Sequence, residues 1–414
     1  MVSVVNALNS MTAELRAGGD TFAKIKVVGV GGSGGSAVNR MVTAKIRGVD
    51  FIAINTDVQA LHHNVAPVKF HIGKTATRGL GAGMNPDVGH KAAEESQNEI
   101  RDLLKGSDMV FITCGLGGGT GSGASPVVAK IARELGALTV AVVTKPFAFE
   151  GAQRKAVAER ALEALTQCVD TIIVIPNDRL LQVIDQKTSL LQAFSMADEI
   201  LKNGVEGISE LITVPGLINV DFADIRAVMS EAGTALMGIG RKSGEHRAVE
   251  AARAAVASPL LEVAIDGARG ILFTVSGSAD LTMFEVAAAA EEITKAADPN
   301  AKIIFGAVID ENLKDEIKIT VVATGFDRKT GSVPGQRTFT VPERRAEMSA
   351  PKAESRIVQS ATPADEKVTF FKHLLQSEEK PPEPVTVAAV RPAIKKMDQD
   401  GELDIPAFIR KKMG

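Results

Sequence analysis

Gly117-Gly118-Gly119-Thr120-Gly121-Ser122-Gly123 follows a β-branched run at 109–113 and opens a helical stretch at 124–135. Glycines at a strand-to-helix junction let the backbone approach a ligand closely, and the free amides of the helix start meet anionic oxygens. Thr120 adds a hydroxyl donor. A second stretch of this kind, Gly29-Val30-Gly31-Gly32-Ser33-Gly34-Gly35-Ser36, ends the run at 25–30 and leads into Ala37, Val38 and Met41. Taken alone, Gly29, Gly31 and Gly34 satisfy GxGxxG, and Asp57 could serve a ribose, so a NAD-dependent oxidoreductase is one reading of that loop. A dinucleotide enzyme has no need of the other glycine loop. Two helix starts aimed at one spot suit a polyphosphate chain. Gly73-Lys74-Thr75 imitates the end of a Walker loop, but Val68 stands where that motif requires its first glycine, so the match is accidental.

Working outward, short β-branched runs alternate with helical patterns from Lys24 to about Ile175, the rhythm of a parallel sheet covered on both faces. Strands are predicted at 25–30, 51–55, 68–72, 109–113, 138–143 and 171–175. A long helix is predicted at about 190–211, with Leu190, Leu191, Phe194, Ala197, Leu201, Val205 and Ile208 at helical spacing. A smaller α/β unit follows, with helices near 222–229, 248–256 and 281–297 and strands at 270–275, 302–309 and 317–324.

The chain has 414 residues, more than one core serves, so two domains plus some unfolded sequence are expected. Its formal charge of -3 gives no basic field for nucleic acid, and its six histidines show no metal-ligand spacing. Cys114 and Cys168 stand far apart among apolar residues, which fits reduced core thiols rather than a disulfide or metal site. Apolar runs stop short of a membrane span, and 1–22 lacks the basic start and apolar block of a signal peptide, so a cytoplasmic location is expected.

GGGTGSG, together with Asn55-Thr56-Asp57, GLGAGMNP at 79–86, TKPFAFEG at 144–151, IPNDRL at 175–180 and NVDFAD at 219–224, resembles the tubulin and FtsZ family of GTPases, on its FtsZ side. The resemblance covers nearly everything from Lys24 to Phe326 and the last dozen residues. It implies a tubulin-like GTPase domain with a Rossmann-like parallel sheet (23–188), a central helix (189–212), a smaller α/β C-terminal activation domain (213–326), a disordered linker (327–400) and a partner-binding peptide (401–414), after a flexible extension (1–22). The first loop departs from the family's usual Gly or Ala and Asn at Ser33 and Ser36. Both are small and polar, so phosphate binding is expected to survive.

Phosphate contacts are assigned to Gly32, Ser33, Gly34, Gly35 and Ser36 in the first loop and to Gly117, Gly118, Gly119, Thr120, Gly121 and Ser122 in the second. Phe194 and Asp198 lie four apart on one helix face, so a ring can lie against a purine while a carboxylate accepts its hydrogen bonds. Guanine presents adjacent N1 and N2 donors and adenine has no such pair, so GTP is preferred. The resemblance adds Asn177 as a second guanine contact and places Glu150 with Arg154 on the ribose and phosphate side. Asn219, Asp221 and Asp224 could orient a hydrolytic water or Mg2+-linked solvent, though Asn and Asp at a helix start equally serve as caps. The resemblance makes this segment the synergy loop, which completes the next subunit's site. Heterologous contacts of that kind extend into open filaments. The function expected is a polymerisation-dependent GTPase, converting GTP to GDP and phosphate, whose head-to-tail filaments form the division ring at midcell beneath the inner membrane. A GTP-bound scaffold without catalysis is the other alternative.

Pro, Ser, Glu and Lys scattered through 327–400 cannot bury enough surface to offset conformational entropy. An apolar cluster at 368–375 interrupts this stretch. The chain closes with Leu403, Asp404, Ile405, Pro406, Ala407, Phe408, Ile409, Arg410, Lys411 and Lys412, apolar anchors beside a basic end. The resemblance implies docking to cytoplasmic membrane-tether and division proteins such as FtsA, with membrane contact indirect.

Overall fold

Alternation along the strands sets the layers. In β1 (Ile25–Val30) Ile25 and Val27 face one core, while Val28 and Val30 face another. In β4 (Met109–Gly115) Met109 and Phe111 separate from Val110, Ile112 and Cys114 in the same way. Strands buried on both sides need helices on both faces. This computed structural model describes residues 23–182, 188–214, 216–259, 261 and 267–326. The predicted linker, the 368–375 cluster, the terminal peptide and the 1–22 extension lie outside the described residues. All described residues belong to one of two compact units, 1–335.

The strands form one ten-stranded sheet in the order β3-β2-β1-β4-β5-β6-β7-β10-β8-β9. β2 (Val49–Asn55), β3 (Val68–His71), β5 (Leu138–Lys145) and β6 (Thr171–Pro176) run parallel to β1 and β4. The helices of this half are α1 (Gly31–Thr43), α2 (Val58–His63), α3 (Pro86–Glu95), α4 (Gln97–Leu104), α5 (Gly119–Glu134) and α6 (Ala152–Thr166). Beyond β6 come α7 (Leu190–Thr213), α8 (Phe222–Met229), β7 (Gly233–Ser243), α9 (Arg247–Val256), β8 (Gly270–Gly277), α10 (Met283–Lys295), β9 (Lys302–Ile309) and β10 (Glu316–Thr324).

The α/β class and the central helix agree with the sequence reading, but β7 was not among the predicted strands. It joins the halves, pairing parallel with β6 over Thr171 to Ile173 and antiparallel with β10 over Leu236 to Ser243. Its glycines hide the strand pattern. They are there because α9 lies on it backbone to backbone: a Cβ at Gly238 would sit 2.0 Å from the Ala255 carbonyl oxygen, and one at Gly240 would sit 1.9 Å from that of Ala251.

Ser189 starts α7 with a reciprocal cap, its hydroxyl accepting from the Gln192 amide at 3.2 Å while the Gln192 side chain accepts from the Ser189 amide at 2.9 Å. Ala197, Leu201, Val205, Ile208 and Leu211 then bury one stripe of the helix against the sheet. Leu191, expected on that stripe, is instead 78% exposed, because it lies in the first turn, off the line of Ala197 and Leu201. Both cysteines are free thiols, and burial pushes Cys114 up to about 11.

Candidate nucleotide site

The sheet order brings the two glycine loops together. β1 and β4 are neighbours, so the loops leaving their C-terminal ends open side by side, and a Cβ on Gly31 would lie 2.9 Å from the Gly121 amide nitrogen. Neither α1 nor α5 receives a side-chain cap at its start, which leaves helix-start amides for a ligand. A cavity of about 260 Å³ lies between them, lined by Gly32, Ser33, Gly118, Gly119, Thr120 and Gly121 at one end. Glu150, Arg154, Asn177, Phe194 and Asp198 line the rest. Adjoining grooves of about 580 and 310 Å³ share Asp198 and Gly32 with it.

Five of the residues assigned to phosphate stand off this cavity. A Cβ on Gly34 would meet the Thr113 carbonyl oxygen at 2.3 Å, so this glycine seats α1 on β4. The Gly35 carbonyl accepts from the Asn64 side chain, while Ser36 lines both adjoining grooves. The Gly117 amide donates to the Ser122 hydroxyl at 2.9 Å, so these two shape the second loop.

That loop is also clamped from outside. The Gly119 amide donates to the Gly83 carbonyl at 2.8 Å, and the amide is therefore committed within the chain. Backbone meets backbone along this contact: a Cβ on Gly119 would lie 2.5 Å from the Gly83 oxygen, one on Gly89 2.3 Å from the Gly119 oxygen, and one on Gly123 1.9 Å from the Pro86 oxygen. The Thr120 hydroxyl shares a 2.6 Å hydrogen bond with that of Thr56 and lines the cavity.

At the other end, Phe194 meets Phe147 edge to face at 5.6 Å, and Phe147 stacks on Phe149 at 4.9 Å. Phe194 remains 40% exposed, leaving ring surface for a base. The side-chain oxygen of Asn177 is buried without a partner among the described residues, an acceptor open to a ligand's donor. Burial pushes Asp198 up to about 6, against the opposing pull of Arg40. Glu150 holds Arg154 at 3.0 Å and accepts the Phe147 amide at 2.9 Å, while the Arg154 Nε is buried and unpartnered among the described residues.

Arg40 is a residue the sequence reading missed. It lines the groove beside Asp198 with a buried, unpartnered Nε, and its position four after Ser36 on α1 was the available signal. Asp57 serves no ribose: its carboxylate caps α2, accepting from the Gln59 and Ala60 amides at 2.8 and 3.1 Å.

Asn219, Asp221 and Asp224 do not reach the cavity. Asn219 accepts the Gly216 amide at 2.7 Å and braces its own loop; Asp221 takes the N-cap position of α8 but makes no side-chain cap bond. Asp224 lies 3.4 Å from Lys302, which lines a separate cleft of about 880 Å³ together with Asp170 and Gly233, at the strand starts. Asn177 follows the end of β6 and Asp170 precedes its start, so the two edges stand roughly 20 Å apart at about 3.3 Å per residue. Among the described residues no three His, Cys, Asp or Glu side chains gather to hold a metal ion.

Two glycine-loop helix starts, a Thr hydroxyl, and a carboxylate with an amide at the far end mark a nucleotide-binding α/β protein. Residues 24–185 match the profile of the Tubulin/FtsZ family, GTPase domain, and residues 233–327 that of the FtsZ family, C-terminal domain. FtsZ from M. jannaschii, in a structure titled as an empty dimer, is 50% identical with a TM-score of 0.73, covering 76% of this chain and 92% of that one. A mutant of the same FtsZ gives 50% identity and TM-score 0.73 over 77% and 96%. CetZ1 from Haloferax volcanii, a GDP-bound monomer, shares the fold at 21% identity and TM-score 0.64, over 74% and 95%. The chain belongs to the tubulin/FtsZ family and is a GTPase that binds GTP and GDP.

Proposed function

We propose that this chain polymerises head to tail into the filaments of a cell division ring, and that each GTP is hydrolysed at a site completed by the next subunit. The observation that carries this is the separation of Asp224 from the glycine loops by a strand's length within one subunit. A second copy stacked head to tail would unite the two edges. The dimer of the M. jannaschii relative supports self-association.

In this reading the loop amides and the Thr120 hydroxyl hold phosphate oxygens, and Asn177 and Asp198 take the guanine edge while Phe194 packs on its face. Arg154, set by Glu150, serves the ribose and phosphate side. Asp221 and Asp224 of the following subunit, held by the Asn219-braced loop, orient the attacking water in line with the γ-phosphate. Mg2+, when bound together with the triphosphate, would offset its charge during hydrolysis. Among the described residues no helix is long and apolar enough to cross a membrane. In this reading the filament lies in the cytoplasm at midcell, tethered through partners such as FtsA on the 403–412 peptide.

Asp224→Ala tests the reading. GTP binding should stay within about twofold, turnover should fall at least tenfold, and filaments should last longer. Equal losses of GTP affinity and turnover in dilute subunits would place Asp224 in its own subunit's site and overturn the trans assignment.

A further inference from the structure

Asp224 does not travel alone. Its Oδ1 lies 3.4 Å from the Lys302 ammonium, and both side chains are about half exposed. Lys302 opens β9 on a fixed backbone: its amide donates to the Arg269 carbonyl at 2.8 Å, and it stands in register with Gly270 of β8. The nearby Arg226 is occupied elsewhere, donating to the Gly136 carbonyl at 2.6 Å and lying 5.7 Å over the Phe222 ring. An exposed ion pair of this kind contributes little to the stability of a free subunit. Its effect appears when the segment is pressed against another molecule and water is excluded.

The charges of the proposed interface favour a cation there, in addition to any metal on the triphosphate. Two carboxylates, Asp221 and Asp224, would approach a triphosphate that is itself multiply negative. The cavity that would hold that triphosphate has Arg154 as its cationic side chain, and Glu150 already pairs with it at 3.0 Å. We propose that Lys302 is a positioning residue for hydrolysis in trans. Its ammonium holds one oxygen of Asp224, offsets the charge of that carboxylate as it nears the neighbouring γ-phosphate, and leaves Oδ2 to orient water. This rests on the reading of Asp224 as the group acting on the next subunit's nucleotide.

The test uses the full chain and four variants, Lys302→Gln, Lys302→Arg, Asp224→Asn and the double Lys302→Gln/Asp224→Asn. GTP turnover in polymers, half-saturating GTP, GTP binding to dilute subunits and thermal melting are measured for each. Lys302→Gln should lose about tenfold in turnover, the size of one charge-assisted contact. Its melting, GTP binding and half-saturation should be unchanged, Lys302→Arg should restore most of the rate, and the double variant should be no slower than Asp224→Asn. Three results would overturn the proposal: turnover of Lys302→Gln within twofold of wild type, an Arg variant as slow as the Gln variant, or a full further loss in the Asp224→Asn background. If Asp224→Asn itself turns over GTP at the wild-type rate, the trans reading fails first and takes this one with it.

Discussion

Glu210 lies in the last turns of α7, where the central helix meets β10. Burial, and then Glu206 one turn earlier, push its carboxyl from the ordinary 4.5 up to about 7. Lys318, Lys202 and Asp310 also face it, but Lys318 is bound to Glu206 at 2.5 Å and Lys202 reaches the same residue at 3.6 Å, so the lysines serve Glu206 first. The unfolded chain releases the Glu210 proton at about 4.5 and the folded chain keeps it to about 7. Stability therefore falls as pH rises through that window. At 1.36 kcal/mol per pH unit the full loss is roughly 3 kcal/mol. Glu210→Gln has nearly the shape of the protonated acid and no proton to lose. It should match wild type near pH 4.5 and exceed it by up to roughly 3 kcal/mol at pH 8. Urea unfolding of both proteins at matched pH values reads the difference, from which titrating groups that do not touch Glu210 cancel. A mutant advantage that is the same at both ends, or a mutant less stable at pH 8, refutes the account.

Asp198→Ala should weaken GTP binding by roughly 1.5 to 3 kcal/mol and narrow the preference over ATP, read by competitive nucleotide binding; an unchanged GTP to ATP ratio removes it from the base site. Because Asp198 protonates at about 6, wild-type GTP affinity should drop about tenfold per pH unit below that point, and the Ala variant should lose this dependence. Deleting 403–412 should leave GTP hydrolysis and polymerisation near wild type while abolishing recruitment to tether-coated vesicles. Full-strength binding by the truncated chain would move the anchor to another segment, 368–375 first.

The site was legible in the sequence to the extent that its chemistry needs particular backbone. Glycines at strand ends, and an aromatic and a carboxylate one turn apart, carry their reason locally, and Gly118 to Gly121, Phe194 and Asp198 come together as the spacing implies. What stayed hidden depends on partners distant along the chain. β7 reads as a glycine-broken stretch until α9 is laid on Gly238 and Gly240. The capture of the Gly119 amide by Gly83 cannot be seen from either segment alone, nor can the pull of Arg40 on Asp198. Asp57 shows the reverse case, where a residue fitting a ligand motif was spent on a helix cap.

The glycine clamp around Gly119 has a mechanical consequence. At Gly119, Gly89 and Gly123 the second glycine loop and the segment from Gly83 to Gly89 meet backbone to backbone, with no side chain at those points to turn or compress. Contact of this kind couples the two stretches stiffly. Met84, 47% exposed, lies in that segment and carries it to the surface. A shift of the loop amides would press directly on the 83–89 segment, backbone on backbone, with little between them to absorb it.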